Sequence, residues 1–352
     1  MRVLVATDTI GSLSSARAGR LLASGWPEAD VIVVSLGEAG SGFAAAAAHQ
    51  LGADLSSAVL GDKVVSSAAV GGTTLLCIES TSPMGEPPAL SASSADLGSA
   101  VRQALEPGTN RLLIDLSGAS AHDGGAGFLA ALGAEADVAL DQGVSGLAGL
   151  TRLDLTGPRA LLAEVDVVGV VPSDQLSLPL LGLRGITSLR GRQLGGDQAQ
   201  LLDTDATLAR WAGMAAPEGA ATPGAGACGG LGFAVLALGG RLTTGPRYAF
   251  AHDGAASAVA QTDLVVTGCT VFDFARRGGG VVAEAARVAT ERLAPCIAVA
   301  AEVLISGREM RTMGVESAYA VREASLPRVN GGDVSEAELV AMARRIGRSW
   351  RW

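Results

Sequence analysis

The chain has 352 residues, of which 48% are hydrophobic and only 17% charged, and its formal net charge is −9. That length predicts two domains, or one domain with a large insertion, and the apolar content is enough for a sizeable core. An acidic chain with 3% aromatic residues lacks the basic surface and stacking platforms of a nucleic-acid binder.

Short apolar runs bounded by turn residues alternate with helical patterns. Val3–Ala6 reads as a buried strand that ends at Asp8. Ser14–Ser24 reads as a helix and Asp30–Ser35 as a second strand. Val64–Ser80 reads as a β-hairpin turning at Gly71-Gly72, with Thr73–Ile78 as its second arm. Ala95–Leu105 is helical, and Arg111–Leu116, Val165–Val171, Asp263–Thr267 and Cys296–Ala300 are further buried strands. The last helix opens with Ser335 and Glu338 at capping-box spacing and runs to about Ile346. Strands alternating with helices predict an α/β fold with parallel sheets. The βα rhythm breaks between about 62 and 254. We therefore expect a discontinuous Rossmann- or flavodoxin-like domain of residues 1–62 plus 255–352. Residues 63–254 would form an inserted α/β domain. Ser80–Ser94 and Gly213–Gly224 are the expected linkers.

The four cysteines, Cys77, Cys228, Cys269 and Cys296, lie far apart, with no CxxC or Cys/His ligand spacing. This predicts reduced thiols in a cytoplasmic protein and no structural zinc. The apolar run after Met1 is too short for a signal peptide, and no stretch reaches the length of a membrane helix. One lysine, Lys63, stands among 26 basic residues, so any cationic phosphate contact falls to arginine, backbone or metal.

Two glycine-rich segments stand out: Gly118-Ala-Ser-Ala-His-Asp-Gly-Gly-Ala-Gly127 and Pro223-Gly-Ala-Gly-Ala-Cys-Gly-Gly-Leu-Gly232. Each runs into an apolar helical pattern. A glycine turn at a helix start leaves N–H groups aimed at one point, which suits phosphate. The same runs also suit close helix packing.

With these motifs in view, the chain resembles the type I glycerate kinases. Asp8-Thr-Ile-Gly-Ser-Leu-Ser14 is similar to the family's D-S-F-K-G-S/T-L. Gly37-Glu-Ala-Gly-Ser-Gly-Phe43 sits where the family has A-D-G-G-E-G-T. Gly118–Gly127 resembles G-S-A-T-N-D-G-G-A-G, and Pro179-Leu-Leu-Gly182 resembles the end of D-V-T-N-P-L-L-G. Pro223–Gly232 resembles P-G-A-G-A-A-G-G-L-G, and Thr267-Gly-Cys-Thr-Val-Phe-Asp273 resembles T-G-E-G-R-I-D. The resemblance implies the type I glycerate kinase fold, two α/β domains with a ligand cleft between them. It also implies ATP with magnesium, and a small hydroxy acid and a nucleotide as partners, with no nucleic acid and no membrane.

Carried over residue by residue, the resemblance gives Asp8, Asp123 and Asp273 as catalytic candidates. Ser12, Gly124, Gly125, Gly224, Gly226, Gly229, Gly230, Gly232, Thr267, Gly268, Arg276 and Arg277 become substrate or phosphate contacts. It names no metal ligands. The charged positions depart from the family pattern. The lysine of D-S-F-K-G is missing, the lysine of F-G-P-Q-K-G falls on Leu194, and that of the final G-K on Gly280. The glutamate and arginine of T-G-E-G-R become Cys269 and Val271, and the asparagine before D-G-G is His122. Phosphoryl transfer needs cations to neutralise the transferred group. The expected function is therefore ATP-dependent phosphorylation of glycerate at a weak or lost rate. An inactive ligand-binding homologue and a kinase of another small hydroxy acid are the alternatives. Arg276, Arg277 and Arg192 are the arginines that would replace lysine, or else solvated loop charges.

Overall fold

The computed structural model describes residues 1–40, 42–60, 63–80, 89–194, 197–251, 255, 259–322 and 333–351. The chain divides into two compact units, one of Met1–Gly52 with Gly245–Trp352 and one of Ala53–Thr244. Strands are numbered along the chain.

The first unit is built on a wholly parallel sheet of β1 (Arg2–Thr7), β2 (Asp30–Ser35), β11 (Leu264–Asp273), β12 (Cys296–Leu304) and β13 (Ser317–Ala320). The spatial order is β13-β12-β11-β1-β2. The sheet's side chains alternate between two cores, as a period of two requires. Leu4, Ala6, Val265 and Ala298 face the core that includes Val281, Val282 and Ala285 of helix Gly279–Glu291. Val3, Val5, Val266 and Ile297 face the core that includes Leu339, Ala343 and Ile346 of helix Glu336–Ser349. Both faces are covered, which is why these strands read as unbroken apolar runs. Ser335 and Glu338 form the capping box that their spacing predicts. β11 extends beyond the predicted Asp263–Thr267, so the whole Thr267–Asp273 motif lies in a strand.

The second unit holds β3 (Ser56–Leu60), β4 (Lys63–Val70), β5 (Thr73–Ser80), β6 (Arg111–Asp115), β9 (Asp166–Val170) and β10 (Arg241–Thr243) in the order β10-β9-β6-β5-β4-β3. β10, β9, β6 and β5 run parallel, while β4 and β3 are antiparallel additions at one edge. β7 (Glu135–Ala136) and β8 (Leu153–Asp154) form a separate two-stranded ribbon. The β4–β5 hairpin turns through Gly71 and Gly72 with φ of 54° and 78°. Positive φ at both central residues matches the twist of the flanking strands and is open to glycine at no steric cost. A single core gathers the fully buried Trp211, Phe128, Phe233 and Leu112.

Three expectations of the sequence are corrected here. β3 pairs with β4, so residues 53–62 go with the second unit and the border lies at 52/53 rather than 62/63. The return falls at 244/245 rather than 254/255. Gly213–Gly224 is not a linker, because it finishes helix Gln198–Ala215, and Ala216 and Ala220 pack against the core. The expected linker Ser80–Ser94 also runs within the second unit. Its residues 81–88 lie outside the described residues. Among the described residues, no helix is long and apolar enough to cross a membrane.

Candidate functional site

In the first unit the chain leaves β1, pairs with β2 on one side, and later places β11 on the other. The sheet order therefore reverses between β1 and β11, and open α/β sheets offer ligand positions at the carboxyl end of such a pair. Asp8 follows β1 directly at that end. Its amide donates to Gly268 O at 3.0 Å, and its Oδ1 accepts the Thr9 amide at 2.7 Å. The Thr9 hydroxyl lies 3.5 Å from the same oxygen. Burial pushes the carboxyl up to about 6 against these bonds, and among the described residues no cation beside it holds it down. Thr270, inside β11, donates its hydroxyl to Thr9 O and accepts the Gly11 amide. Gly42 faces Asp8 as well: a Cβ there would lie 3.6 Å from Oδ1. The first unit thus gathers Asp8, Thr9, Gly42 and Thr270 at one place.

The other first-unit candidates serve elsewhere. Thr267 is fully buried inside β11, and its hydroxyl has no hydrogen-bond partner among the described residues. Gly268 is glycine for packing, since a Cβ would meet Thr7 Oγ1 at 2.6 Å and Val299 O at 2.7 Å. Neither presents itself to a ligand. Ser12 donates its hydroxyl to Asp333 at 2.6 Å. Asp273 accepts the Arg276 amide at 2.7 Å, organising the turn after β11. Arg276 and Arg277 are exposed, and the Arg277 guanidinium lies 5.7 Å from the Phe274 ring centroid. Cys269 is a buried thiol, pushed up to about 12 by burial and by the charges of Asp8 and Asp273.

In the second unit Asp123 is fully buried. Its carboxylate accepts the Ser94 amide at 2.9 Å, the Ser94 hydroxyl at 2.8 Å, the Gly125 amide at 2.9 Å and the Gly127 amide at 3.1 Å. Ser94 Oγ in turn accepts the Phe128 amide at 2.9 Å. Burial raises this carboxyl while the donors oppose it. Both oxygens accept bonds from the surrounding backbone and Ser94, so Asp123 organises the loop.

The two glycine-rich segments fit against each other. The Gly124 amide donates to Gly229 O at 3.0 Å. A Cβ at Gly125 would meet that of Ala234 at 2.3 Å, one at Gly230 would meet Gly124 Cα at 2.5 Å, and one at Gly229 would meet Ala121 O at 2.0 Å. Gly224, Gly226 and Gly232 meet Leu242, Pro179 O and Gly224 O in the same way. The Gly226 amide is spent on Leu178 O at 2.9 Å. Close backbone packing accounts for the absence of side chains at these positions. Cys228, Gly229 and Gly230 all take left-handed φ, with the Cys228 amide held by Gln175 Oε1.

Beside this turn lies a cluster that motif reading missed. Arg190, in helix Ile186–Leu194, donates through Nη1 to Ala121 O at 2.8 Å and contacts His122 Nδ1 at 3.1 Å. Arginine only donates, so Nδ1 accepts and the proton sits on Nε2, which donates to Thr187 Oγ1 at 2.9 Å. Burial first, then the Arg190 charge, pushes His122 down to about 3, so it is neutral throughout the physiological range. Burial also lowers the Arg190 guanidinium below its ordinary value. The only advance signal was one arginine inside the mixed stretch Ile186-Thr-Ser-Leu-Arg190.

The sequence profile described as the glycerate kinase family matches residues 3–351. This chain belongs to that family. It is 28% identical over 348 residues to a glycerate 2-kinase of Escherichia coli K12, covering 91% of this chain and 90% of that one. An uncharacterized protein of Mycobacterium bovis is 33% identical over 345 residues, covering 92% of this chain and 84% of that one. In structure the chain resembles a Salmonella typhimurium LT2 protein provisionally named glycerate kinase 2. The TM-score is 0.78 at 23% identity, covering 99% of this chain and 98% of that chain, which establishes the shared fold. As a glycerate kinase family member, the chain carries uncharged residues at Leu194, Cys269, Val271 and Gly280, the positions that the motif resemblance sets against charged ones.

Proposed function

We propose that this protein phosphorylates glycerate, or a closely related small hydroxy acid, with ATP as donor and at a low rate. The observation that carries this reading is Asp8. It stands at the carboxyl end of the sheet's reversal point, with its carboxyl pushed up to about 6 by burial. A base with that value is ionised at neutral pH and still takes a proton readily. As the substrate hydroxyl oxygen bonds to the γ-phosphorus and the bond to ADP breaks, Asp8 takes the hydroxyl proton and later returns it to water. Thr9 and Thr270 fix the loop that carries Asp8.

Magnesium would arrive with the nucleotide. Among the described residues no group of three His, Cys, Asp or Glu side chains is placed to hold a metal. An ion carried on phosphate oxygens and one carboxylate is the usual arrangement for magnesium in such reactions. The low rate follows from the charges. Arg276 and Arg277 are exposed, and losing one donor to developing charge typically costs about 3–4 kcal/mol of the barrier. The uncharged residues at 194, 269, 271 and 280 also favour a second reading, a ligand-binding homologue without turnover.

A coupled ADP-release assay with D-glycerate, beside calorimetry with ATP, tests both. Turnover well under about 1 per second with measurable ATP binding supports the first reading, since kinases commonly reach about 1–100 per second. Binding with no turnover leaves the second. Binding of neither ligand overturns both.

A further inference from the structure

The guanidinium of Arg190 carries five N–H donors. The two on Nη1 go to Ala121 O and His122 Nδ1. The donors on Nε and Nη2 have no acceptor among the described residues. No carboxylate of those residues lies within ion-pair distance of this guanidinium, although the group is partly buried. Asp123 is the carboxylate whose charge it feels, and both oxygens of Asp123 are taken by Ser94, Gly125 and Gly127. His122 is neutral and accepts, so it fixes the arginine without balancing its charge.

A partly buried cation without a counter-charge is costly unless an anion completes it. A guanidinium whose second edge is open presents the two parallel N–H groups that match a carboxylate or phosphoryl group. Gly229 packs against the occupied edge, where a Cβ would lie 3.0 Å from Nη1, so its lack of a side chain lets the guanidinium sit against the Ala121 carbonyl. His122, Thr187 and the Ala121 carbonyl hold the arginine in one orientation, so little freedom is lost when a ligand binds.

We infer that Arg190 is an oxyanion-binding residue of this protein, with Nε and Nη2 clamping a phosphoryl or carboxylate group. The anion deepens the kinase reading, whose two substrates carry these groups, but the clamp stands on its own geometry.

The test compares wild type with Arg190→Met and Arg190→Lys in low-salt calorimetry and thermal denaturation. The probes are inorganic phosphate, ADP and D-glycerate. Loss of the fork should weaken at least one probe by about tenfold or more, with Arg190→Lys intermediate. Weakening of phosphate and ADP alone assigns the clamp to the nucleotide, and weakening of D-glycerate alone assigns it to the acid. A merely structural Arg190 would lower the melting temperature of the free protein and leave the probe-induced shift intact, which overturns the inference. Unchanged affinity for all three probes in Arg190→Met overturns it as well. If D-glycerate is never phosphorylated while phosphate binding still depends on Arg190, the kinase reading fails and the clamp stands.

Discussion

Asp8 and Asp123 each follow a parallel strand of their own unit, and the protein treats them in opposite ways. Asp123 is surrounded by donors and fully enclosed, so its charge is consumed in holding Ser94 and the Gly125–Gly127 turn together. Burial raises the proton affinity of both carboxyls, but among the described residues Asp8 accepts hydrogen bonds only from Thr9, so far fewer donors offset its desolvation. A carboxylate ringed by N–H groups is scaffold, and a carboxylate starved of them is poised for proton transfer. The first should govern stability and the second activity.

The largest effect expected from this contrast is on folding. Asp123→Ala removes the acceptor for the Ser94, Gly125 and Gly127 amides in a site water does not reach. Stability should fall by about 3–5 kcal/mol, read from chemical denaturation, because buried donors are left unpaired. Asp8→Asn should instead leave stability unchanged or raise it by up to about 3 kcal/mol, because a desolvated charge is removed. In the assay it should lower turnover by about 10²–10⁴-fold. A stable Asp123→Ala protein, or an Asp8→Asn protein with full turnover, would invert the comparison.

Changing pH sharpens it. Turnover should decline below about pH 6 as Asp8 protonates in the folded protein, and Asp8→Asn should abolish that inflection. Stability carries two opposing contributions. The folded-state value of Asp8 is raised from 3.8, so its penalty is absent below 3.8 and complete above 6. The folded-state value of His122 is lowered from 6.5, so its contribution is complete above 6.5 and erodes as pH falls toward 3. Replacing His122 with Asn should therefore flatten the loss of stability between pH 6.5 and 5, measured as denaturant midpoints at both values.

Much of the fold was written locally. Gly71-Gly72 declared its hairpin, Ser335 and Glu338 their capping box, and Asp30–Ser35 its strand within its true limits. What local pattern leaves open is whom a segment meets. Gly124-Gly125 and Gly229-Gly230 carry the same signature whether their amides await phosphate or their Cα atoms touch each other, and here they touch. For that reason Gly229→Val, which on sequence grounds would probe a phosphate loop, instead drives a side chain into Ala121 O. Arg190 stayed hidden for a related reason. Motif positions drew attention to Arg192 and Leu194, whereas the contacts that distinguish Arg190 come from Ala121 and His122, far away in sequence.

The smallest effect concerns Arg277, a phosphate contact by motif and a loop charge by geometry. Its φ of 52° is left-handed, which costs a non-glycine residue about 1–2 kcal/mol. Arg277→Gly relieves that strain but gives up the Phe274 contact, worth about 0.5–1 kcal/mol when exposed, and loosens the unfolded chain. These terms oppose, so net stability should stay within about 0.5 kcal/mol, the usual range for exposed positions. Turnover should change less than about twofold, because an exposed guanidinium is screened by water and fixed to no ligand. A tenfold loss in the ADP-release assay would show that the turn after β11 reaches the transferred phosphoryl group. The charge that matters would then lie on the first unit's loop rather than on Arg190.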